Sequence, residues 1–368
     1  MLITVLHRIR ASTDYASKML EEISWALRLH VKYSKSATLQ MPCKRQHVVA
    51  VITGASSGIG RATALEFASR GIAVVLTSRR RNALNEVADE CSTFGVRSLV
   101  LAADIADENS VQRVARQAFR EFGHLDIWVN NAVVGLYGDF ERIPPQDFRR
   151  VIETDFFGYV NGARAVLPYF RQQGCGVVVN VASVLGKIAI PHMSSYVAAK
   201  HAIVGFSDAL RQELRGTAIR VCTILPWSID TPFYVNAGNY TGREIHPVPP
   251  VVDPRRVAIA IVDAVEGERD RVFAPSASAF IALARAVFPV LTERIANFVI
   301  KRFQIGSRRV PSTPGNLYRP NPQDIQITGG WKQHRRAGLP LWPILATAAA
   351  VLATGASLQG RGHQHRAP

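Results

Sequence analysis

A glycine-rich turn between a predicted strand and a predicted helix constrains the fold of this chain more than any other feature. Residues 47–53 form a short, β-branched run that is typical of a strand buried on both faces. The turn Thr53-Gly-Ala-Ser-Ser-Gly-Ile-Gly60 follows, and a helical pattern then runs from Arg61 to Arg70. Glycines at such a turn let the backbone approach a pyrophosphate, whose charge the helix N-terminus stabilises. The pattern therefore favours nucleotide binding, although a glycine turn can also be purely structural.

Strand and helix patterns alternate along the rest of the chain. Further strand candidates lie at 72–77, 96–102, 125–129, 176–181, 218–225 and 271–274. Helical patterns lie near 82–94, 107–122, 145–172, 194–215 and 253–266. This alternation predicts an α/β fold, in which three α-β-α layers surround a doubly wound parallel sheet of the Rossmann type. With 48% hydrophobic and 20% charged residues, the chain has enough apolar side chains for a sizeable core.

The end of the second predicted strand carries information about the nucleotide. Ser78 is followed by Arg79, Arg80 and Arg81, and no Asp or Glu is present there. An acidic residue at this point binds a ribose 2′-hydroxyl, whereas an arginine accommodates a 2′-phosphate. The sequence thus favours NADP(H) over NAD, with Arg79 as the main contact and Arg80 as a helper. The alternative is that these arginines open the next helix and stay solvated.

Asp104 stands just beyond the C-terminal end of another predicted strand. Sheets of this kind bind ligands at that edge, so Asp104 is a candidate for the nucleotide site. The alternative is a loop residue or a helix N-cap, since Asp107 lies close by.

Tyr196 and Lys200 are four residues apart and share one face of a predicted helix. A free phenol has a pKa near ~10, and a neighbouring ammonium lowers it. A tyrosine tuned in this way can exchange a proton with a substrate oxygen, which Ser183 can orient by a hydrogen bond. Alone, the pair is more often an ordinary helix with a half-buried tyrosine and a surface lysine. Because this pair occurs in the same chain as the glycine turn, a catalytic role for Tyr196 and Lys200 is favoured.

Together these motifs resemble those of the short-chain dehydrogenase/reductase family over residues 46–275. The resemblance implies hydride transfer between a nicotinamide and a carbonyl or alcohol carbon, with Tyr196 as the acid or base. It implies the catalytic residues Ser183, Tyr196, Lys200 and Asp155. The implied cofactor-binding residues are Gly54, Ser56, Ser57, Gly58, Ile59, Gly60, Arg79, Asp104, Asn131, Ala132, Tyr196, Lys200, Pro226 and Thr231. A homodimer or homotetramer through the helices near 107–122 and 145–172 is also implied.

Three positions depart from the family pattern. Asp155 stands where the family usually has asparagine, whose backbone carbonyl helps to hold a water in the proton relay. Val133 replaces a glycine after Asn131-Ala132, and a β-branched residue does not easily adopt positive φ. Trp227 replaces a glycine after Pro226 and narrows the pocket or stacks on a ring. These departures motivate an alternative function, a catalytically impaired nucleotide-binding sensor or membrane-associated scaffold of the same fold.

Aromatic residues near the motifs favour a small, apolar substrate. They are Phe156, Phe157, Trp227, Phe233 and Tyr234. The alternative is that most of them fill the core. Residues 228–250 carry the substrate choice, by resemblance, but their composition shows no readable pocket.

The basic charge of the chain is concentrated at its two ends. The formal net charge is +16, of which residues 1–50 carry +5 and residues 301–368 carry +9. Basic tails suggest an anionic partner, either a membrane surface or nucleic acid. Nucleic acid is the weaker choice, because the chain has no zinc pattern and no basic motif interleaved with aromatics.

Three C-terminal segments follow the predicted domain. Residues 276–305 have the pattern of an amphipathic helix pair broken at Pro289, which lies on a membrane, closes over the substrate or packs on its own domain. Residues 306–336 are basic and rich in Pro and Gly, which predicts a flexible linker. Residues 337–358 carry no charge and form a weak transmembrane-like segment within the tail 337–368.

The N-terminal extension, residues 1–45, has no secretory cleavage pattern. Either the working protein starts at Met41, or the extension forms a surface helix. The four cysteines show no paired or metal-ligand spacing, which favours a reducing, cytoplasmic location and predicts no metal site. The C-terminal region further predicts that this cytoplasmic protein associates with a membrane.

Overall fold

A parallel sheet of seven strands organises the part of the chain that the computed structural model describes, namely Cys43, residues 47–323 and residues 325–332. The strands in chain order are β1 (Val49–Thr53), β2 (Ala73–Ser78), β3 (Ser98–Ala102), β4 (Ile127–Asn130), β5 (Leu136–Tyr137), β6 (Cys175–Val181), β7 (Ala218–Pro226), β8 (Gly238–Asn239), β9 (Arg243–Ile245), β10 (Arg271–Ala274) and β11 (Ile305–Arg309). The sheet has the spatial order β10-β7-β6-β4-β1-β2-β3, and every neighbouring pair is parallel.

Helices connect the strands and cover the sheet. In chain order they are α1 (Gly58–Ser69), α2 (Arg81–Ser92), α3 (Glu108–Phe122), α4 (Pro145–Ile152), α5 (Gly158–Gln173), α6 (Ser194–Glu213), α7 (Phe233–Asn236), α8 (Pro254–Glu266), α9 (Ala279–Val287) and α10 (Pro289–Val299). The predicted helix at 145–172 is interrupted, because a π-helical turn at Glu153–Phe157 separates α4 from α5. Such turns occur frequently at functional sites.

Two apolar cores lie on the two faces of the sheet. On one face, Phe67 of α1 and Ile261 of α8 pack in the same cluster of buried residues. On the other face, Val114 of α3 and Val166 of α5 pack in a cluster with Trp128 of β4. Because both faces are covered, the inner strands are apolar along their length. The predicted three-layer α-β-α fold of the Rossmann type is confirmed.

The crevice of the sheet lies where β1 meets β4. Val51 of β1 pairs with Val75 of β2 on one side and with Trp128 of β4 on the other. The chain leaves β1 toward β2 and β3 and then crosses to β4, so the direction of strand addition reverses at this point. Ligands of doubly wound sheets bind at the carboxyl ends of the strands beside such a reversal. The predicted glycine turn and Asn131 both follow strands at this edge.

The C-terminal part of the described chain packs around this edge. α9 and α10 form the predicted helix pair, which meets at Phe288 and is broken at Pro289. Beyond them, β11 pairs antiparallel with β9. Residues 313–323 and 325–332 then form a segment that we call the C-terminal strap. The composition predicts a flexible linker here, but the structure instead shows a paired strand and a strap that is hydrogen-bonded to the domain.

One pair of cysteines is joined in the structure. Cys43 and Cys175 form a disulfide, whereas Cys91 and Cys222 are free and buried. The sequence predicted no pair, because the two partners lie 132 residues apart and no short spacing indicates their proximity. The expectation of a reducing environment rested on unpaired cysteines and therefore loses that support.

Two sequence predictions lie outside the described residues. They are the N-terminal extension with its alternative start at Met41, and the transmembrane-like segment at 337–358. Of the helices within the described residues, none combines the length and the apolar character needed to cross a membrane. The expected anionic partner of the basic tails stays a prediction.

Candidate active site

The glycine turn after β1 is fastened to the end of β4. Thr53 Oγ1 accepts hydrogen bonds from the backbone N–H groups of Asn131 (2.8 Å) and Ala132 (3.1 Å). Asn131 Nδ2 donates back to the carbonyl oxygen of Thr53 at 2.9 Å. Gly60 has no room for a side chain, because a Cβ there would lie 2.2 Å from the carbonyl oxygen of Gly54. Gly54 has φ of +68°, a conformation that favours glycine. The turn thus has a fixed shape with its backbone exposed to the crevice.

Ser183, Tyr196 and Lys200, the residues singled out from the sequence, line one cavity. Ser183 follows β6, and its Oγ accepts a hydrogen bond from the N–H of Leu185 at 3.1 Å. Lys200 lies one helical turn after Tyr196 on α6, and its Nζ is 5.4 Å from the centroid of the tyrosine ring. The same Nζ donates to the carbonyl oxygen of Val181 at 3.1 Å, which fixes the ammonium beside the ring.

Asp155 lies in the π-helical turn and is fully buried. Its Oδ1 accepts a hydrogen bond from the backbone N–H of Val134 at 2.8 Å. Its Oδ2 has no hydrogen-bond partner among the described residues. Burial raises the pKa of Asp155, while the charge of Lys200 and the Val134 bond lower it. The carboxylate also raises the pKa of Lys200 against the lowering effect of burial. Asp155 therefore acts on Lys200 through charge.

The pKa of Tyr196 differs from the sequence expectation. Its withdrawal from solvent raises the pKa well above the usual value, and the Asp155 carboxylate raises it further. A hydrogen bond with Ser183 lowers it. The expected lowering by Lys200 is not found, because burial has the largest effect on this pKa and the Asp155 carboxylate acts in the same direction. The Tyr196 hydroxyl is consequently protonated at neutral pH.

Val133 and Val134 follow Asn131-Ala132 without unusual backbone geometry. Within the described chain, the non-glycine residues with positive φ are His192 and Glu268, so Val133 has an ordinary conformation. Val134 is instead the residue whose N–H binds Asp155. The two departures from the family pattern, at 133–134 and at Asp155, are thus in contact with each other.

Arg79 lies at the edge of the same cavity and is held by the C-terminal strap. Its guanidinium donates to the carbonyl oxygens of Asn316 (2.6 Å), Leu317 (2.9 Å) and Tyr318 (3.3 Å). Burial lowers the pKa of Arg79, and the nearby Asp104 carboxylate raises it. A guanidinium has five N–H donors, so these three hydrogen bonds leave donors for a further acceptor.

Arg80 is turned toward the glycine turn. It donates to Ser57 Oγ at 2.8 Å, to Ser56 Oγ at 3.0 Å and to the carbonyl oxygen of Asn321 at 2.8 Å. Arg81, by contrast, is exposed at the start of α2. Of the three consecutive arginines, Arg79 and Arg80 line the cavity and Arg81 opens the helix, while the contact of Arg79 and Arg80 with a 2′-phosphate stays a prediction.

Asp104 follows β3 and also lines the cavity. Its Oδ2 accepts a hydrogen bond from Arg150, and its Oδ1 accepts from the N–H of Ala106 at 3.0 Å. The N-cap of α3 is Asp107, whose side chain accepts from the N–H of Asn109. The alternative reading of Asp104 as the N-cap is therefore wrong, and Arg150 is a neighbour that the sequence did not indicate.

The strap is hydrogen-bonded to the end of the glycine turn and to the first turn of α1. The N–H of Gly58 donates to the carbonyl oxygen of Gln326 at 3.0 Å, and Arg61 donates to that of Ile325 at 2.7 Å. Asp230 anchors the end of the strap by accepting from the N–H groups of Gly329 (3.0 Å) and Trp331 (2.9 Å). Sequence analysis missed these contacts, because they use backbone groups that any residue supplies.

A cavity of about 730 Å³ connects these features. The cofactor-binding residues predicted from the sequence that line it are Gly54, Ser56, Ser57, Gly58, Ile59, Arg79, Asp104, Asn131, Ala132, Tyr196, Lys200, Pro226 and Thr231. Gly60 and Asp155 do not line it. Asn316, Pro320 and Asn321 of the strap form another part of the wall. The strap therefore roofs the cavity beside Arg79.

The aromatic residues named from the sequence divide into two groups. Trp227, Phe233 and Tyr234 line the cavity. Phe156 packs against a buried cluster, and Phe157 is 51% exposed, so neither supports the expectation of an apolar pocket. The helix pair α9–α10 supplies apolar lining that the sequence analysis left open as one of three alternatives.

Known proteins are similar to a large part of this chain. Residues 48–239 match the short chain dehydrogenase family. The "Uncharacterized oxidoreductase YxnA" of Bacillus subtilis is 35% identical over 275 residues, which is 74% of this chain and 77% of that protein. 

Two solved structures are similar to the described fold. A short chain dehydrogenase/reductase from Burkholderia phymatum in complex with NAD has a TM-score of 0.60 at 26% identity, over 67% of this chain and 95% of that one. An alcohol dehydrogenase from Thermococcus sibiricus complexed with 5-hydroxy-NADP has a TM-score of 0.55 at 26% identity, over 62% and 94%. Both dinucleotides thus occur in structures with this sheet. With a family match over more than half its length, on a Rossmann sheet, the chain belongs to the short-chain dehydrogenase family of oxidoreductases.

Proposed function

We propose that this protein is an NADP(H)-dependent oxidoreductase that interconverts a carbonyl and an alcohol on an apolar substrate. The observation that carries the proposal is the shared cavity, in which Ser183, Tyr196 and Lys200 lie together with the glycine turn. A residue that can exchange a proton and a turn that can bind a nucleotide therefore lie in the same cavity. Hydride transfer to a carbonyl requires both.

The residues around the cavity fit a dinucleotide of this kind. The N–H of Gly58 donates to Gln326 of the strap, so the other backbone N–H groups of the glycine turn and of the α1 N-terminus would hold the pyrophosphate. Arg79 and Arg80 would hold a 2′-phosphate, since both guanidinium groups face the cavity and no acidic residue occupies residues 78–81. When bound, the nicotinamide supplies or accepts the hydride. Pro226 and Thr231, which line the cavity after β7, would lie at the nicotinamide end.

Tyr196 would serve as the acid in the reductive direction. Its raised pKa keeps the hydroxyl protonated at neutral pH, so it can donate a proton to the oxygen of a carbonyl substrate. Ser183 would donate a hydrogen bond to the same oxygen and orient it. The ammonium of Lys200 would stabilise the tyrosinate that remains, and Asp155 supports that ammonium through its charge.

The test uses the full chain and separates binding from turnover. Binding of NADPH and of NADH is measured by fluorescence titration, and NADPH oxidation is followed with a panel of ketones. Tyr196→Phe is expected to lower kcat by about a thousandfold or more while cofactor affinity is retained, because it removes general acid catalysis. Tyr240→Phe is the matched control, since the Tyr240 hydroxyl donates to Asp147 away from the cavity.

Three outcomes would contradict the proposal at different points. Unchanged activity in Tyr196→Phe would remove Tyr196 from the mechanism. Tighter binding of NADH than of NADPH would remove the role of the arginines but leave the oxidoreductase. Cofactor binding without turnover of any ketone or alcohol would favour the nucleotide-binding sensor or scaffold.

A further inference from the structure

The two helices α9 and α10 form a cap over one end of the cavity. Neither helix contains a buried residue, although α9 is strongly apolar in sequence. Arg285 on α9 and Glu293 on α10 form an ion pair at 2.9 Å, which links the helices beyond the break at Pro289. The inner side of the cap thus borders the cavity and not a packed core.

One side of the cap carries a continuous apolar stripe. The residues of the stripe recur with the spacing of one helix face, mostly three or four apart, and all line the cavity: Phe280, Leu283, Ala284, Val287, Leu291, Ile295 and Val299. Val290 and Phe298 lie on the same helix as Leu291 and Ile295 but do not line the cavity, and they are 59% and 65% exposed, against 40% and 37% for Leu291 and Ile295. The cap therefore has a cavity face and a solvent face, as an amphipathic helix pair should.

The stripe is continuous with the residues around Tyr196. Apolar side chains between the two also line the cavity: Leu185, Ile188, Ile190, Met193, Phe233 and Val248. The charged side chains in the described lining are Arg79, Arg80, Asp104 and Lys200, which belong to the nucleotide end or lie beside Tyr196. From Tyr196 to the cap, the wall therefore carries no charge and is mostly apolar, with polar side chains such as Thr292 and Gln304 among the lining.

We propose that the cap binds a long, unbranched apolar chain of the substrate, whose carbonyl or hydroxyl group lies at Tyr196. The inference rests on the proposed function for its reactive end. A membrane or a second copy of the chain would contact the solvent face, but the stripe lines the same cavity as Tyr196. The substrate class is then a long-chain alkyl or acyl ketone, or the corresponding alcohol, rather than a small polar carbonyl compound.

The first arm of the test varies the chain. Methyl ketones from 2-butanone to 2-dodecanone are reduced by the full-length protein with NADPH. Each added methylene that enters the cap is expected to raise kcat/KM by about fourfold, until the chain fills the stripe. No dependence on chain length would overturn the inference.

The second arm uses neighbouring residues on α10. Leu291→Asp places a charge on the cavity face and is expected to lower kcat/KM for 2-dodecanone by about tenfold to a hundredfold. The loss should be smaller for 2-butanone, whose short chain does not reach the cap, and the affinity for NADPH should stay unchanged. Val290→Asp is the matched control, because Val290 is exposed and outside the cavity. Ile295→Asp and Phe298→Asp form a second pair of the same design. Equal effects of the two members in both pairs would overturn the inference.

A third readout separates this inference from the proposed function. Binding of 2-dodecanone to the NADP⁺ complex is followed by tryptophan fluorescence, since Trp227 lines the cavity. Tight binding that Leu291→Asp abolishes, without turnover of any ketone, would support the chain site and contradict the proposed reaction. Conversely, turnover of short ketones with weak binding of long ones would contradict only the chain site. Loss of self-association or of vesicle binding in Leu291→Asp, with unchanged dependence on chain length, would also overturn it.

Discussion

Asp155 and Lys200 form a buried pair in which each side chain opposes the effect of burial on the other. Burial lowers the pKa of Lys200, and the Asp155 carboxylate raises it again. Burial likewise raises the pKa of Asp155, and the Lys200 ammonium lowers it. Neither charge is stable alone in such a place, so the pair preserves the charged lysine beside Tyr196.

Asp155→Asn should therefore shift the pH dependence of activity. Without the carboxylate, the pKa of Lys200 falls further below its usual value, because burial is no longer opposed. The ammonium is then lost at a lower pH, so the alkaline limb of the kcat/KM profile moves to lower pH. Glu153→Gln is the control, since Glu153 lies in the same π-helical turn but is exposed. An alkaline limb that stays in place in Asp155→Asn would contradict the coupling.

Arg79→Ala should change the choice of cofactor. Loss of a charge-assisted contact to a 2′-phosphate costs about 1.5–3 kcal/mol, so the Kd for NADPH should rise about tenfold to a hundredfold. The Kd for NADH should change little. Arg81→Ala is the matched control, because Arg81 is exposed and does not line the cavity. Equal weakening of both cofactors would mean that Arg79 acts only by holding the strap, and titration of each cofactor distinguishes the two.

The parts of the site that were predictable lie close together in the sequence. Tyr196 and Lys200 share a helix face by spacing alone, and the turn from Gly54 to Gly60 follows a buried strand directly. The order of strands and helices was also recognisable, because a parallel sheet covered on both faces leaves continuous apolar runs. Patterns of this kind involve residues that are close in the chain, so they can be recognised in a single sequence.

The parts that were not predictable depend on distant contacts. The strap holds Arg79 through the backbone carbonyl groups of Asn316, Leu317 and Tyr318. Every residue has such a carbonyl group, so the sequence of side chains does not indicate these contacts. The pairing of Cys43 with Cys175 spans 132 residues. The π-helical turn that carries Asp155 interrupts a helical pattern that reads as continuous from 145 to 172. Each of these three features becomes evident only in the folded structure.

The disulfide between Cys43 and Cys175 can be tested by counting the free thiols of the chain. In denaturant without reductant, the chain should show two reactive thiols, from Cys91 and Cys222, and four after reduction. Cys43→Ser should lower the free energy of unfolding by about 2–5 kcal/mol, because the bridge constrains a long loop of the unfolded chain. Denaturant unfolding without reductant measures the loss. Four thiols before reduction, with equal stability of Cys43→Ser, would contradict the bridge.

Asp230→Ala should release the C-terminal strap and speed the loss of NADPH. The carboxylate of Asp230 accepts from the backbone N–H groups of Gly329, Trp331 and Lys332, at 3.0, 2.9 and 3.3 Å. These bonds fasten the end of the segment that roofs the cavity beside Arg79. Without them, the strap should open more often, so NADPH should dissociate about tenfold faster or more, as stopped-flow fluorescence can measure.

Hydrogen exchange supplies the second readout for this variant. Amides of residues 325–331 should exchange faster in Asp230→Ala, while those of β1 and β4 keep their protection, because the sheet does not depend on the strap. Asp270→Ala is the control, since the Asp270 side chain is 62% exposed. Faster exchange in the strap with unchanged NADPH dissociation would show that the strap covers the glycine turn without retaining the cofactor. Faster dissociation with the sheet intact would mean that cofactor release requires the strap to open.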